Sequence, residues 1–322
     1  MTNQPDSIQK KKLSLKGLWQ VLKESFEGFG NDQVPKLSGS LAYYTIFSMG
    51  PLLIVIIYLC SVFFGREAIE GSIYNQIQSF VGEDTARQME QIIKNAYLDN
   101  KNSFAAIIGI ITLLIGATTV FADIQGSINT IWQLKPKPQK GIWRLIKTRL
   151  LSFSVIVSLG FILLVSLAIT GLIEGLSGRL QNAFPDVAVA IFYAVNLLIS
   201  LIVTTILFGL IFKVLPDAHI RWKDVMAGAL TTAVLFMVGK FAISLYISKS
   251  NIGSTYGTAG SLVILLLWVY YSAFILYFGA EFTRAYALKF GEEIKPNEFS
   301  VSTKVVEIET EEEVVQNKNQ QS

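Results

Sequence analysis

The sequence predicts an all-α polytopic membrane protein, with six transmembrane helices, an N-terminal amphipathic helix and short periplasmic helices. No residue from 250 to 280 is charged, whereas about 20 residues of helix are enough to cross a hydrocarbon layer of about 30 Å. Of the 322 residues, 52% are hydrophobic and 16% are charged, against about 25% charged residues in average soluble chains. The apolar residues are also concentrated in blocks long enough to span a bilayer.

The first 35 residues are predicted to form a cytoplasmic tail followed by an interfacial amphipathic helix. Segment 15–29 carries apolar side chains, Trp19 among them, on one helical face and Lys and Glu on the other. Such a helix is suited to the plane of the lipid headgroups. A helix packed on cytosolic loops would show the same pattern, so both placements stay open.

Residues 36–288 are predicted to form the membrane domain. Pro51 lies in the first span and is a candidate hinge, because a proline kinks a helix. Residues 65–103 form the longest connection, and their apolar spacing predicts two short amphipathic helices on the membrane. The acidic, polar residues 289–322 are predicted to be a disordered cytoplasmic tail. The six spans cover about 41–64, 104–122, 150–173, 187–212, 225–248 and 261–283.

The distribution of Lys and Arg predicts the orientation in a bacterial inner membrane. The segments on the side of the two termini hold 20 of these residues and the opposite segments hold 6. Basic residues accumulate on the cytoplasmic side. Both termini are therefore predicted to be cytoplasmic, which agrees with an even number of spans.

Charges at membrane depth are the first candidates for a functional site. At about 1.5 Å per residue, Asp123 and Glu281 lie about 28 Å and about 30 Å along their spans, at the cytoplasmic boundary. Arg149 and Arg284 fall in the same layer. These four side chains could line an inward-facing vestibule that binds an anionic headgroup. They could also lock the helix ends together, which is the favoured interpretation.

Two further polar residues and a glycine-rich segment lie elsewhere in the predicted spans. Lys240, about 24 Å into its span, either snorkels to the outer surface or faces the bundle interior as a ligand for a transported anion. Asn196, about 14 Å into its span, is nearest the midplane, and a structural role is favoured over substrate binding. Gly253, Gly257 and Gly260 are candidates for a gate or re-entrant turn, with a plain outer turn as the simpler alternative.

The residue inventory argues against an enzyme. A single cysteine, Cys60, and a single histidine, His219, cannot build a disulfide framework or a histidine-rich metal centre. The chain contains neither a Gly-x-Ser-x-Gly elbow nor a phosphate-binding Gly-rich loop. We therefore expect no catalytic residue, metal or cofactor. The basic loops follow from membrane orientation, so no nucleic-acid partner is expected either.

Four segments resemble the bacterial YihY/BrkB family. Their specificity lies in polar and small residues such as Tyr43, Asn129, Trp132 and Glu281. The segments are LAYYTIFSMGPLLIV (41–55), FADIQGSINTIW (121–132), LPDAHIRWKDVMAGAL (215–230) and YGTAGSLVILLLWVYYSAFILYFGAEFTRA (256–285). The resemblance implies a six-helix inner-membrane protein. Some members are linked to serum resistance and to movement of envelope lipids. The family's old label of ribonuclease BN has no support in this sequence.

The leading functional hypothesis is translocation or export of an amphipathic envelope molecule, such as a lipid. Its partners would be membrane lipids. The alternative is a membrane scaffold that recruits envelope-assembly proteins through its tails and outer loop. The sequence specifies neither the substrate, the energy source and direction of transport, nor the oligomeric state.

Overall fold

A computed structural model describes residues 14–48, 103–137, 185–249 and 260–303. Within these residues the chain forms six helices and four short strands. The helices are α1 (Leu15–Asn31), α2 (34–48), α3 (Ser103–Ile131), α4 (Pro185–Val214), α5 (Trp222–Lys249) and α6 (Gly260–Phe290). The strands are β1 (Leu134–Pro136), β2 (Ala218–His219), β3 (Lys295–Pro296) and β4 (Ser300–Ser302).

Three helical segments are long and apolar enough to cross a membrane: Ala194–Val214, Trp222–Ile243 and Leu262–Phe290. They confirm the predicted class of a helical membrane protein, and they coincide with the last three predicted spans. The predicted second span lies within α3. The third span, most of the first and the connection 65–103 fall outside the described residues, so the number of six spans stays a prediction.

A reciprocal contact between glycine and threonine joins α5 to α6. A Cβ atom on Gly228 of α5 would lie 1.8 Å from Thr283 Oγ1 of α6, and a Cβ atom on Gly279 of α6 would lie 1.9 Å from Thr232 Oγ1 of α5. Each threonine hydroxyl donates to the glycine carbonyl four residues earlier in its own helix, at 2.7 Å. Small residues let two membrane helices approach closely. The pairing gives that approach and leaves neither hydroxyl without an acceptor.

Helix α1 runs along the second half of α6 in the opposite direction. Its start contacts the end of α6, where Gly17 packs against the Phe290 ring. Its end reaches further back, where the ring centroids of Phe29 and Phe274 are 4.5 Å apart. The buried residues of α1 are Gly17, Val21 and Ser25. The residues of α1 that are fully buried against α6 are therefore small or medium-sized, and larger rings such as Phe29 pack beside them.

Several large apolar side chains of α1 remain exposed. Leu15, Trp19 and Phe26 are 88%, 71% and 66% exposed. The predicted helix is thus present, but it packs along α6 and not on loops. Its exposed apolar face is of the kind that the headgroup region of a bilayer accommodates.

The ends of α3, α4 and α6 meet in a cap, which we define as residues 132–137, 215–221 and 291–303. Strand β1 pairs with β4, and β2 pairs with β3, both antiparallel. Residues 289–303 had been predicted to belong to a disordered tail, which is wrong because they carry β3 and β4. Residues 304–322 lie outside the described residues.

Asp217 occupies the centre of the cap. Its backbone N–H donates to Asn129 Oδ1 at 2.9 Å, and its carboxylate accepts from Asn129 Nδ2 at 3.0 Å. Its carbonyl accepts from the Ser300 hydroxyl at 2.6 Å. Trp132 adds a buried hydrogen bond from Nε1 to the carbonyl of Ala280 at 3.0 Å. These bonds fix the cap to α3 and α6.

A second tie joins the start of α5 to the C-terminal part of the cap. The Arg221 guanidinium donates to Asp224 at 3.0 Å and to Glu292 at 2.8 Å. The hydrogen bond with Asp224 raises the pKa of Arg221. The chain after α6 is therefore attached to the bundle at both strand pairs and by this ion pair.

Replacing Gly279 with alanine tests the α5–α6 contact. Gly279→Ala places a methyl group against Thr232 and should lower the free energy of unfolding by about 1–3 kcal/mol, the usual cost of overpacking. The measurement is thermal unfolding of the detergent-solubilised protein. Gly126→Ala in α3 is the matched control, because nothing lies within 4 Å of its Cβ position. An equal effect of both substitutions would contradict the close contact.

Candidate functional site

A cavity of about 290 Å³ lies between α1, the second half of α6 and the cap. Helix α1 and the turn after it supply Glu24, Glu27, Gly28, Asn31 and Asp32. Helix α6 supplies Glu281, Arg284, Ala285 and Leu288, and the cap supplies Gln133. Glu24, Glu27, Asn31 and Leu288 are exposed at its rim. The cavity therefore joins an exposed edge of the protein to a buried polar interior.

Glu281 is the buried acceptor of this cavity. The residue is 2% exposed, and within the described part of the chain its Oε1 atom has no hydrogen-bond partner. Gly28 makes room for the carboxylate, because a Cβ atom at that position would lie 2.5 Å from Glu281 Oε2. Burying an unpaired carboxylate costs free energy. This side chain is therefore held in place at a cost to stability.

Asp32 brings a second carboxylate next to Glu281. Asp32 Oδ2 lies 3.7 Å from Arg284 Nη1, and both side chains are about one-fifth exposed. The backbone N–H of Asp32 caps α1 by donating to the carbonyl of Gly28 at 2.8 Å. The Arg284 guanidinium thus lies close to two acidic side chains, Asp32 and Glu281, and its contact with Asp32 is long.

Two strained turns border the cavity. Gln33, after Asp32, has a φ of 52°, and Gln133, after α3, has a φ of 56°. The left-handed conformation costs a residue other than glycine about 1–2 kcal/mol. At Gln133 the carbonyl accepts from the backbone N–H of Thr303 at 2.9 Å, so the C-terminal strand pair supports this turn.

Asp123 belongs to a separate polar cluster between α2, α3 and α6. Its Oδ1 accepts from the Ser40 hydroxyl at 2.9 Å, and its Oδ2 is buried without a partner in the described residues. The buried side chain of Tyr277 lies within reach of Asp123 and Ser127. Glu281 and Arg284 thus line one cavity, whereas Asp123 lies outside it.

The other predicted site residues are not on the cavity. Lys240 and Asn196 are both exposed on their helices. Gly260 is buried as the first residue of α6. Pro51, Arg149, Gly253 and Gly257 lie outside the described residues.

Sequence reasoning missed the contribution of α1 to the site. Asp32 and Gly28 are about 250 positions away from Glu281 along the chain, and periodicity alone does not report which helices pack together. The signal was Gly28 near the end of an otherwise amphipathic helix. Glycine weakens a helix interior, so its presence there indicates a close approach.

The charges of the cavity define what it can bind. Four carboxylates face one guanidinium, and the negative end of the α1 dipole lies beside Asp32. Among the described residues no group of three or more His, Cys, Asp or Glu could hold a metal ion. Carboxylate groups therefore outnumber basic groups in the lining of this cavity.

Glu281→Gln separates a locking role from a binding role. If the carboxylate locks helix ends, its neutral isostere should destabilise the protein. We expect the opposite, because the glutamine amide can donate a hydrogen bond to Asp32, whereas an ionised Glu281 would repel the Asp32 carboxylate beside it. The free energy of unfolding should rise by about 1–3 kcal/mol, seen as a higher midpoint of thermal unfolding. Glu293→Gln, at an exposed position of the cap, should leave the midpoint unchanged.

Comparison with known proteins gives the family. The family model of Virulence factor BrkB matches residues 25–302. The chain is 26% identical over 261 residues to a UPF0761 membrane protein of Ralstonia nicotianae, covering 78% of this chain but 55% of the relative. A relative of the same description from Pseudoalteromonas translucida is 28% identical, and the match covers 79% of this chain and 81% of the relative. Another from Psychromonas ingrahamii is 29% identical, and the match covers 78% of this chain and 82% of the relative.

No solved structure matches the chain. The family match covers the helices α2 to α6, the last seven residues of α1, and the cap up to residue 302. It includes every residue that lines the cavity except Glu24. This chain is a membrane protein of the Virulence factor BrkB family.

Proposed function

We propose that this protein translocates an amphipathic envelope molecule, such as a lipid, between the leaflets of the bacterial inner membrane, without chemical conversion. The observation that carries the proposal is the cavity between α1 and α6, with its buried carboxylate at the end of a helix long enough to cross a membrane. A molecule with a polar head and apolar chains needs a polar environment and an apolar environment at once. The cavity offers the first, and the exposed apolar faces of the helices offer the second.

Exposed apolar side chains continue from the cavity along the bundle. Leu288 belongs to the cavity and is 57% exposed, and Phe26 of α1 is 66% exposed. Further along, Leu266 and Leu262 of α6 are 43% and 50% exposed. Acyl chains could therefore stay in the bilayer while a headgroup enters the cavity.

The proposal includes an orientation with the cap and both termini in the cytoplasm. The cap and its adjoining helix ends carry many basic residues. Basic residues accumulate on the cytoplasmic side of inner-membrane proteins. The basic residues of the cap and its adjoining helix ends are Lys135, Lys137, Lys213, Arg221, Lys223, Lys289 and Lys295.

Translocation is measured with fluorescent lipids in vesicles that contain the purified protein, by quenching the label in the outer leaflet. The protein should make the inner-leaflet label accessible. Gly28→Ala should slow this exchange by about fivefold or more, the factor that corresponds to about 1 kcal/mol, because the methyl group displaces Glu281.

Gly30→Ala is the matched control on the same helix, since nothing lies within 4 Å of its Cβ position. It should exchange lipid at the rate of the unmodified protein. Vesicles with protein that exchange lipid no faster than empty vesicles, over several lipid classes, would refute the proposal.

A further inference from the structure

We propose that the cavity between α1 and α6 binds the ammonium-bearing headgroup of an aminophospholipid. The inference rests on the proposed function and names the class of molecule that this site accepts. It is drawn from the charge of the cavity, the unpaired buried acceptor and the single guanidinium beside it.

The charge of the cavity selects a cation. Among the residues that line the cavity, Glu24, Glu27, Asp32 and Glu281 are acidic and Arg284 is basic. Glu27 is also paired with Lys23, at 3.6 Å on the surface. Two of these carboxylates, Asp32 and Glu281, lie side by side. Neighbouring carboxylates repel when both are ionised. A positive group between them would relieve that repulsion.

The buried acceptor selects an ammonium group. Glu281 is 98% buried, lines the cavity and has an oxygen, Oε1, without a partner in the described part of the chain. An ammonium group has three donors and no acceptor, so it can bridge Glu281 and Asp32. A metal ion would need more ligands than the described residues gather at one point.

The guanidinium selects a zwitterion over a simple amine. Arg284 lies 3.7 Å from Asp32, a contact long enough to be exchanged for a better acceptor. In an aminophospholipid a phosphate follows the ammonium group within a few bonds, and guanidinium groups bind phosphate strongly. A lipid with a phosphate but no amine could bind Arg284, but it would leave Asp32 and Glu281 without a cation.

The size of the cavity limits the contact to the headgroup. Sites for drug-sized ligands measure about 300–1,000 Å³, and this cavity measures about 290 Å³. The acyl chains must then stay outside, where Leu288 is exposed at the rim. A membrane lipid is therefore favoured over a soluble amine, which would gain nothing from that apolar rim.

Isothermal titration calorimetry of the detergent-solubilised full chain tests the inference. The ligands are dihexanoyl phosphatidylethanolamine, dihexanoyl phosphatidylglycerol and glycerophosphoethanolamine, which is the headgroup without chains. We expect the first to bind about tenfold or more tightly than the second, as a charged hydrogen bond requires. It should also bind more tightly than the headgroup alone.

Two variants locate the binding site. Glu281→Gln should abolish the preference for the ethanolamine lipid, and Gly28→Ala should weaken its binding, with thermal unfolding confirming that both are folded. Glu293→Gln, outside the cavity, should bind as the unmodified protein does. Equal binding of the two lipids, or a preference that survives in Glu281→Gln, would overturn the inference. A headgroup that binds as tightly as the lipid would overturn its assignment to a membrane source.

Translocation measured in parallel keeps this inference apart from the proposed function. Exchange of phosphatidylglycerol and phosphatidylethanolamine at equal rates, with equal binding, would overturn the headgroup assignment and leave translocation standing. Selective binding of the ethanolamine lipid without any exchange would refute translocation and support the site.

Discussion

Thr232 and Thr283, each seated against a glycine of the facing helix, hold α5 and α6 together. Van der Waals packing supplies this attraction, because the hydrophobic effect does not drive helices together in apolar lipid. The close approach fixes α6 as the common partner of α5 on one side and of α1 on another. Every residue that α6 contributes to the cavity, from Glu281 to Leu288, depends on this placement.

The cavity results from small residues on one side and a charged one on the other. Gly28 leaves space, Glu281 enters it, and the carboxylate then has no partner for one oxygen. Strained backbone at Gln33 and Gln133 borders the same place. A buried oxygen without a hydrogen-bond partner and left-handed backbone both lower stability, and such costs accumulate where a site binds something. The same cluster would be a poor lock, because among the residues that line the cavity one basic side chain, Arg284, stands against four acidic ones.

The helices were predictable because hydropathy is a local property of the sequence. The last predicted span, 261–283, lies within α6, although the helix continues seven residues further, to Phe290, where α1 and the cap cover it. The partnership of Glu281 with Gly28 and Asp32 was not predictable, since it depends on which helices pack. The prediction of a disordered tail from residue 289 was wrong for a similar reason. Three-residue strands such as Ser300–Ser302 are ordered only by a distant partner, here β1.

Chemical labelling at the wall of the cavity tests the central claim, an acidic, water-accessible site between α1 and α6. Ala285→Cys, in a chain whose single cysteine is changed by Cys60→Ser, places a thiol on that wall. Rates are compared for methanethiosulfonate reagents that carry either a trimethylammonium or a sulfonate group. An acidic cleft should favour the cationic reagent by about tenfold or more at low salt. Equal rates, or a thiol that neither reagent reaches, would contradict the account.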